Sequence, residues 1–279
     1  NAEMLSILGL SMVVLIFFYF IERRAAEPII PLDLFRLSLY RTSTLVATLA
    51  AMGVFGAISY LPLYLQGVLG MSASGAGMIL LLLSLGWTAG SLIAGQEINR
   101  LGYRRVASMG MSCMAVGFGI FVLSGHPVSL LLVLLASVLI GLGMGTANLT
   151  TLVAAQNAVP IRRIGVATST LMLFRTFGGA FCISLMGTVL FNRMQQGLEK
   201  IGDGLSSTLL EKVANPQNLL EPATRASIPS EFLPQLIDLL AASIWYAFLT
   251  ALLLMIIGCA VSTGMASYTP ASTPRPDGE

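Results

Sequence analysis

Long apolar runs alternate with short polar connectors along almost the whole chain. The runs cover about 4–21, 42–65, 75–97, 106–124, 128–156, 164–190 and 239–262. Each approaches or exceeds the roughly 20 residues that a helix rising about 1.5 Å per residue needs to cross about 30 Å of hydrocarbon. None alternates apolar with polar residues, and lipid offers the backbone no hydrogen-bond partners, so the pattern predicts helices and not barrel strands. The expected fold class is an all-α membrane protein with seven spans.

Charge sits in the connectors and is unevenly shared between them. Only 10% of residues are charged against 56% hydrophobic, where a soluble domain is about 25% charged. The connectors after the first, third and fifth runs hold Arg23, Arg24, Arg36 and Arg41, then Arg100, Arg104 and Arg105, then Arg162 and Arg163. The alternate short connectors, "QGVLGMSAS" and "SGHPVS", hold no basic residue. Basic residues in short loops stay in the cytoplasm, so loops 23–41, 98–105 and 157–163 are expected on that side. Residues 191–238, with six acids and four bases, are then a long external loop. The tail 263–279, rich in Pro, Ser and Thr, is expected to be cytoplasmic and disordered. In "EPIIPLDLFRLSLYR", Leu32, Phe35 and Leu39 stand at helical spacing behind Pro31, which predicts a short amphipathic helix along the interface; an ordinary linker is the other reading. The chain opens into an apolar run without an initiator methionine or a cleavable signal, as the tail of something longer would.

Several chemistries find no residues in this pattern. Lys200 and Lys212 both fall in 191–238, so no spanning lysine is available for a retinal Schiff base. The spans carry no catalytic carboxylates, histidines or metal cluster, and no GxxxxGK[ST] loop for ATP, which argues against an enzyme and an ATP-driven pump. "GLGMGTAN" mimics a phosphate-binding loop, but no strand precedes it. Cys113, Cys182 and Cys259 stand singly in three spans and read as small packing residues, and the lone His126 reads as a solvated loop residue. Nucleic acid is not an expected partner, because no basic stripe accompanies the net charge of +2.

One arginine is not in a connector. Arg175, in "FRTFGGAF", lies 11 residues from Ile164 and 15 from Leu190, about 16 Å and 22 Å along a helix. Snorkelling over that distance exceeds the side chain's reach. An interior cavity or a buried partner is expected, the other reading being an arginine that caps neighbouring carbonyls. Gly178 and Gly179 follow within a turn, and further glycines pair at Gly53 and Gly56, at Gly86 and Gly90, and through 141–145. Small residues let helix backbones approach and rock, or simply pack closely.

Three strings together carry a family resemblance: "YLPLYLQGVLGMSASGAG" (60–77), "GQEINRLGYRR" (95–105) and "QNAVPIRRIGVATSTLMLFRTFGGAF" (156–181). The chain resembles the C-terminal half of a major facilitator superfamily transporter of the fourteen-helix drug:proton antiporter branch, and the likeness extends through "NPQNLLEP" to the final run. It implies a C-terminal six-helix domain at 42–262, preceded by an inserted linker transmembrane helix at 1–22 and a cytoplasmic amphipathic linker at 23–41. It also implies two inverted sets of three helices. The implied function is proton-coupled multidrug efflux across the inner (plasma) membrane by alternating access, with no cofactor beyond the coupling ion, H+. A same-fold exporter or symporter of a metabolite, siderophore or lipid is the alternative.

The resemblance also suggests sites. In "GQEINRLGYRR", Gly95, Arg100, Gly102, Arg104 and Arg105 match the family's cytoplasmic signature, while Asn99 replaces its acid and Glu97 is the nearest substitute. These residues, with Pro62, Gly178 and Gly179, are candidates for conformational roles; anchoring of topology is the plainer reading of the arginines. In the resembling fold the second, third, fifth and sixth runs face the central cavity. Candidate cavity residues are therefore Tyr60 and Tyr64, Gln66, Asn148, Thr151 and Arg175. The two tyrosines share a helix face by spacing, either for stacking on planar or cationic substrates or as part of the interfacial aromatic belt. Gln66 is expected to cap or gate that end and Pro62 to kink it. Asn148 and Thr151 contact either substrate or another helix. No carboxylate lies mid-span here, so the resemblance places the proton carrier in an N-terminal half. Expected partners are membrane lipid, small amphiphilic or cationic substrates, that half, and a periplasmic adaptor of the kind some relatives use.

Overall fold

The computed structural model describes residues 32–125, 128–201, 213, 215–220, 227–229 and 232–268, with the single positions 9, 10, 13 and 17. The predicted first span at 4–21, apart from those four positions, His126, and the tail beyond Tyr268 lie outside the described residues. Five long helices make up most of the rest: α1, Ser38–Leu63; α2, Ala73–Leu123; α3, Leu130–Asn157; α4, Ile164–Ile201; and α5, Leu233–Thr263. The described residues contain no strand. All five helices, α1 together with the turn that extends it to Val68, are long and apolar enough to cross a membrane.

Helix α2 accounts for two of the predicted runs. Its 51 residues would reach about 77 Å if straight, more than twice the hydrocarbon thickness. Gly102 breaks it at φ 78° and ψ 165°, a backbone region that is essentially glycine's alone. The packing shows that the chain reverses there. Along limb 73–101, Gly86 and Gly90 and then Gly95 approach successively later residues of α3, so the limb runs parallel to α3. Along limb 103–123, Tyr103 meets Asn157 and Gly117 meets Ala136, so this limb runs antiparallel. The five helices thus make six crossings among the described residues.

Helix α3 is sandwiched between the two limbs, and its glycine run shows why the sequence permits it. Gly141 and Gly145, four apart on one face, lie against the backbone of limb 73–101, and Gly143, on the other face, lies against Gly110. A Cβ at any of these positions would collide with main-chain atoms of the facing helix. Helix α1 packs beside α4, and α5 closes the bundle against α1, α2 and α4.

The connectors are more ordered than their polarity suggests. Leu32–Arg36 forms a short 3-10 helix in which Leu34 is buried while Leu32 is 67% exposed, and of the expected Leu32, Phe35, Leu39 face the last two pack onto the bundle. A 3-10 turn keeps residues three apart in line, so Leu32 and Phe35 still share a side, while Leu34 and Leu39 turn into the bundle. Phe35 stacks on both Tyr40 and Phe174 with ring centroids 5.4 Å apart. Pro216–Leu220, inside the presumed external loop, buries Pro216 and Leu219 against the bundle. The start of the tail is packed as well: Met265 is buried, and the Tyr103 N–H donates to the Tyr268 carbonyl at 3.0 Å.

Candidate transport site

Helix α4 positions Arg175. Leu171, Arg175, Gly178 and Cys182 are spaced by four, three and four, and all are buried, forming one stripe. That stripe faces α1, since Gly178 abuts Thr48 and Cys182 lies beside Gly56. Arg175 is only 9% exposed, about 16 Å along the helix from Ile164. Its Nη1 reaches no better acceptor than the Met172 Sδ at 3.4 Å, and its Nε has no partner. Neither ion pair among the described residues involves it. A thioether is a weak acceptor, and a buried guanidinium without a carboxylate or carbonyl is costly. The seam therefore holds a cation whose hydrogen-bonding capacity exceeds what this bundle supplies.

The two tyrosines do not act as a pair. Tyr60 is half-buried and donates to the Ile183 carbonyl of α4 at 2.6 Å. Tyr64 is 2% exposed, accepts from the Val128 N–H at 2.8 Å and packs edge-on against Phe121. Shared spacing brought them to one side of α1, but long side chains swing to different neighbours. Tyr64 is a core residue tying α1 to the start of α3, which corrects its assignment to a substrate surface. Thr151 is likewise fully buried, its hydroxyl donating to the Ala147 carbonyl at 2.7 Å, a bond within its own helix. That removes it from any exposed wall.

Asn148 is half-buried, and its Oδ1 has no donor. With Arg175 it is one of the few buried polar groups left unsatisfied among the described residues. Pro62, lacking an N–H, stands just before a π-helical turn at Tyr64–Val68, and Gln66 donates across that turn to the Pro62 carbonyl at 3.4 Å. Loss of one backbone bond lets the helix widen here, so Gln66 closes the turn that Pro62 opens.

The signature residues gather around the reversal at Gly102. The exposed Arg100 faces the half-buried Glu97 at 3.8 Å within the same turn of helix, so the ion pair of Glu97 links it to no other element. Arg104 and Arg105 are exposed, and with Arg100, Leu101 and Ser267 they line a cleft of about 580 Å³. A side chain at Gly95 would meet Leu149 only at ordinary contact distance, so packing does not demand a glycine there. At Gly178 a Cβ would clash with Thr48, and at Gly179 with the Phe55 ring, so both permit the close approach of α4 to α1.

With this geometry in place, comparison with known proteins is decisive. The family model described as Major Facilitator Superfamily matches residues 3–182. The chain belongs to the Major Facilitator Superfamily. Among relatives, it is 29% identical over 276 residues to the multidrug transporter protein MdtP of Bacillus subtilis, covering 92% of this chain and 51% of that protein. It is 31% identical over 263 residues to multidrug resistance protein 3 of Bacillus subtilis, covering 91% and 51%. The chain thus spans about half the length of these curated relatives. Its fold is similar to that of a bacterial homologue of the human lysosomal transporter Spinster, solved inward-facing and unoccupied, with a TM-score of 0.62 at 17% identity over 86% of this chain and 50% of that one.

For this superfamily member the structure adds contacts that sequence reading missed. Arg163 pairs with Asp33, fastening the segment before α1 to the start of α4. Asn157 donates to the Tyr103 hydroxyl at 2.9 Å, and Ser108 and Ser262 share a hydrogen bond of 2.9 Å. These link α3, α2 and α5 at the arginine-rich end. No short motif marks such contacts, because each partner comes from a distant element.

Proposed function

We propose that this chain is the C-terminal half of a proton-coupled multidrug efflux antiporter of the inner membrane, working by alternating access. Family membership and the multidrug names of two relatives support the substrate class. The observation that carries the mechanism is Arg175, a mid-span cation nine-tenths buried and short of acceptors within its own half. A charge at that depth is tolerated when something outside the bundle satisfies it, and a second half with an embedded carboxylate would do so. Protonation of that carboxylate would weaken its hold on Arg175 and couple proton movement to the way the halves meet. Tyr60, Gln66 and Asn148 remain candidates for the half-cavity; Gly102, Arg104 and Arg105 belong to the cytoplasmic hinge, where lipid anchoring and conformational control coincide.

Ethidium accumulation in cells expressing the complete gene tests this reading. Wild-type efflux should collapse with an uncoupler, and Arg175→Ala, at equal membrane abundance, should lower efflux about tenfold, the effect of roughly 1.4 kcal/mol on a rate. Efflux that ignores the uncoupler would overturn proton coupling, and full efflux by Arg175→Ala would remove that residue from the mechanism. Absence of dye efflux by the wild type would favour an exporter of one dedicated metabolite.

A further inference from the structure

The far end of the bundle holds a cation that the transport reading does not use. Arg193, on α4, lays its guanidinium over the Tyr246 ring of α5, with Cζ 3.9 Å from the ring centroid. Beside them lies a cleft of about 170 Å³ lined by Gln196, Gly197, Leu239 and Ser243 among others. This is smaller than the roughly 300–1,000 Å³ of pockets for drug-sized ligands, so it fits a small polar group. Gly197 brings α4 close to α5 here, the Leu239 side chain filling the space that a Cβ would take.

Membrane depth can be measured along α5. The contacts of Tyr103 with Asn157 and Tyr268 place the ends of α3 and α5 together with the α2 reversal. From that end, Tyr246 is 17 residues back from Thr263, about 26 Å, and so near the far edge of a hydrocarbon layer of about 30 Å. Arg193, far along α4, meets that same ring. The contact therefore sets the guanidinium at the level of the Tyr246 ring, near that edge. Trp245, stacked edge-on against Tyr246 with centroids 4.9 Å apart, donates its indole N–H to the Val122 carbonyl at 2.8 Å. That is the placement expected of an interfacial aromatic.

Stacking occupies the face of a guanidinium and leaves its N–H edge free to donate. Neither ion pair among the described residues uses Arg193, and Asp238, the nearest acid preceding the cleft on α5, is not paired with it. The exposed Gln196 amide lies one turn further along the same face. A planar donor edge beside a small cleft at headgroup depth matches a phosphate. We propose that Arg193, stacked on Tyr246, and Gln196 seat the phosphate of one anionic phospholipid between α4 and α5, in the leaflet at the arginine-poor end. This requires only that the chain spans the membrane, so it stands apart from drug specificity and proton coupling.

The test uses the complete purified transporter in detergent, with phosphatidylglycerol and phosphatidylcholine of matched acyl chains as probes and inorganic phosphate as a third. Native mass spectrometry should show one phosphatidylglycerol retained by the wild type about fivefold more tightly than by Arg193→Gln, the effect of roughly one interfacial charge. Phosphatidylcholine should be retained alike by both proteins. Arg193→Lys keeps the charge but loses the fork and should fall between them, at an exposed position where folding is unaffected. Equal phosphatidylglycerol retention by wild type and Arg193→Gln overturns the site. Displacement of the lipid by millimolar inorganic phosphate overturns its assignment to a lipid in favour of a free anion.

Discussion

Two glycine-rich seams run through this bundle, and what their glycines face is different. Between α2 and α3 they face main chain: a Cβ at Gly90 would strike the Leu142 carbonyl, one at Gly141 the Leu83 carbonyl, and one at Gly145 the Trp87 carbonyl. Between α1 and α4 they face mainly side chains: Gly56 meets Met186, Gly179 the Phe55 ring, and Gly178 the Thr48 methyl first, with the Thr48 carbonyl behind it at 3.1 Å. Backbone cannot yield without moving a whole helix, whereas a thioether rotates out of the way. The first seam therefore makes α2 and α3 one rigid block. The second can repack, and it is the seam that holds Arg175.

The largest effect is expected from Gly145→Ala. A single methyl would force α3 off limb 73–101, and overpacking of this kind costs about 3 kcal/mol when the obstacle is main chain. Titration of the purified complete transporter with sodium dodecyl sulfate should show the midpoint falling accordingly. A midpoint unchanged by this substitution would mean that the α2–α3 seam is as yielding as the other.

An intermediate effect is expected from Tyr60→Phe, which leaves the ring in place and removes the hydroxyl that holds the Ile183 carbonyl. Hydrogen bonds between membrane helices contribute about 0.6 kcal/mol on average and at most about 1.7. A loss of about 1 kcal/mol in the same titration would identify that bond as the main polar tie between α1 and α4 at this level. Efflux should change less than stability, because the hydroxyl is already committed to a carbonyl.

The sequence was most legible where apolar length alone decided the outcome. Six of its runs coincide with described crossings, and Gly102 separates two of them where the basic cluster "NRLGYRR" had placed a loop. Helix ends were less legible: α4 continues to Ile201 through "NRMQQGLEK", since Met194 and Leu198, four apart, keep a buried stripe amid polar residues that a hydropathy reading discards. Mid-span charge singled out Arg175, because few physical arguments are as sharp as a guanidinium in hydrocarbon. Tyr64 and Thr151 were misplaced for the opposite reason. Spacing assigns a residue to a helix face, but only the packed neighbours decide whether that face opens to a cavity, and those neighbours come from residues as distant as Val128 and Phe248.

The smallest effect tests the yielding seam itself. In Gly56→Ala the new methyl would lie 2.5 Å from the Met186 Sδ and 3.6 Å from the Cys182 Sγ, with no main-chain atom among its nearest neighbours. Replacing glycine within a helix favours the folded state by roughly 0.5–1 kcal/mol. Displacing a flexible thioether costs a comparable amount, because methionine has three rotatable bonds with which to find another rotamer. The two contributions should cancel to within about 0.5 kcal/mol in the detergent titration. A loss as large as that of Gly145→Ala would show that Met186 is locked, and that the α1–α4 seam is no softer than its counterpart.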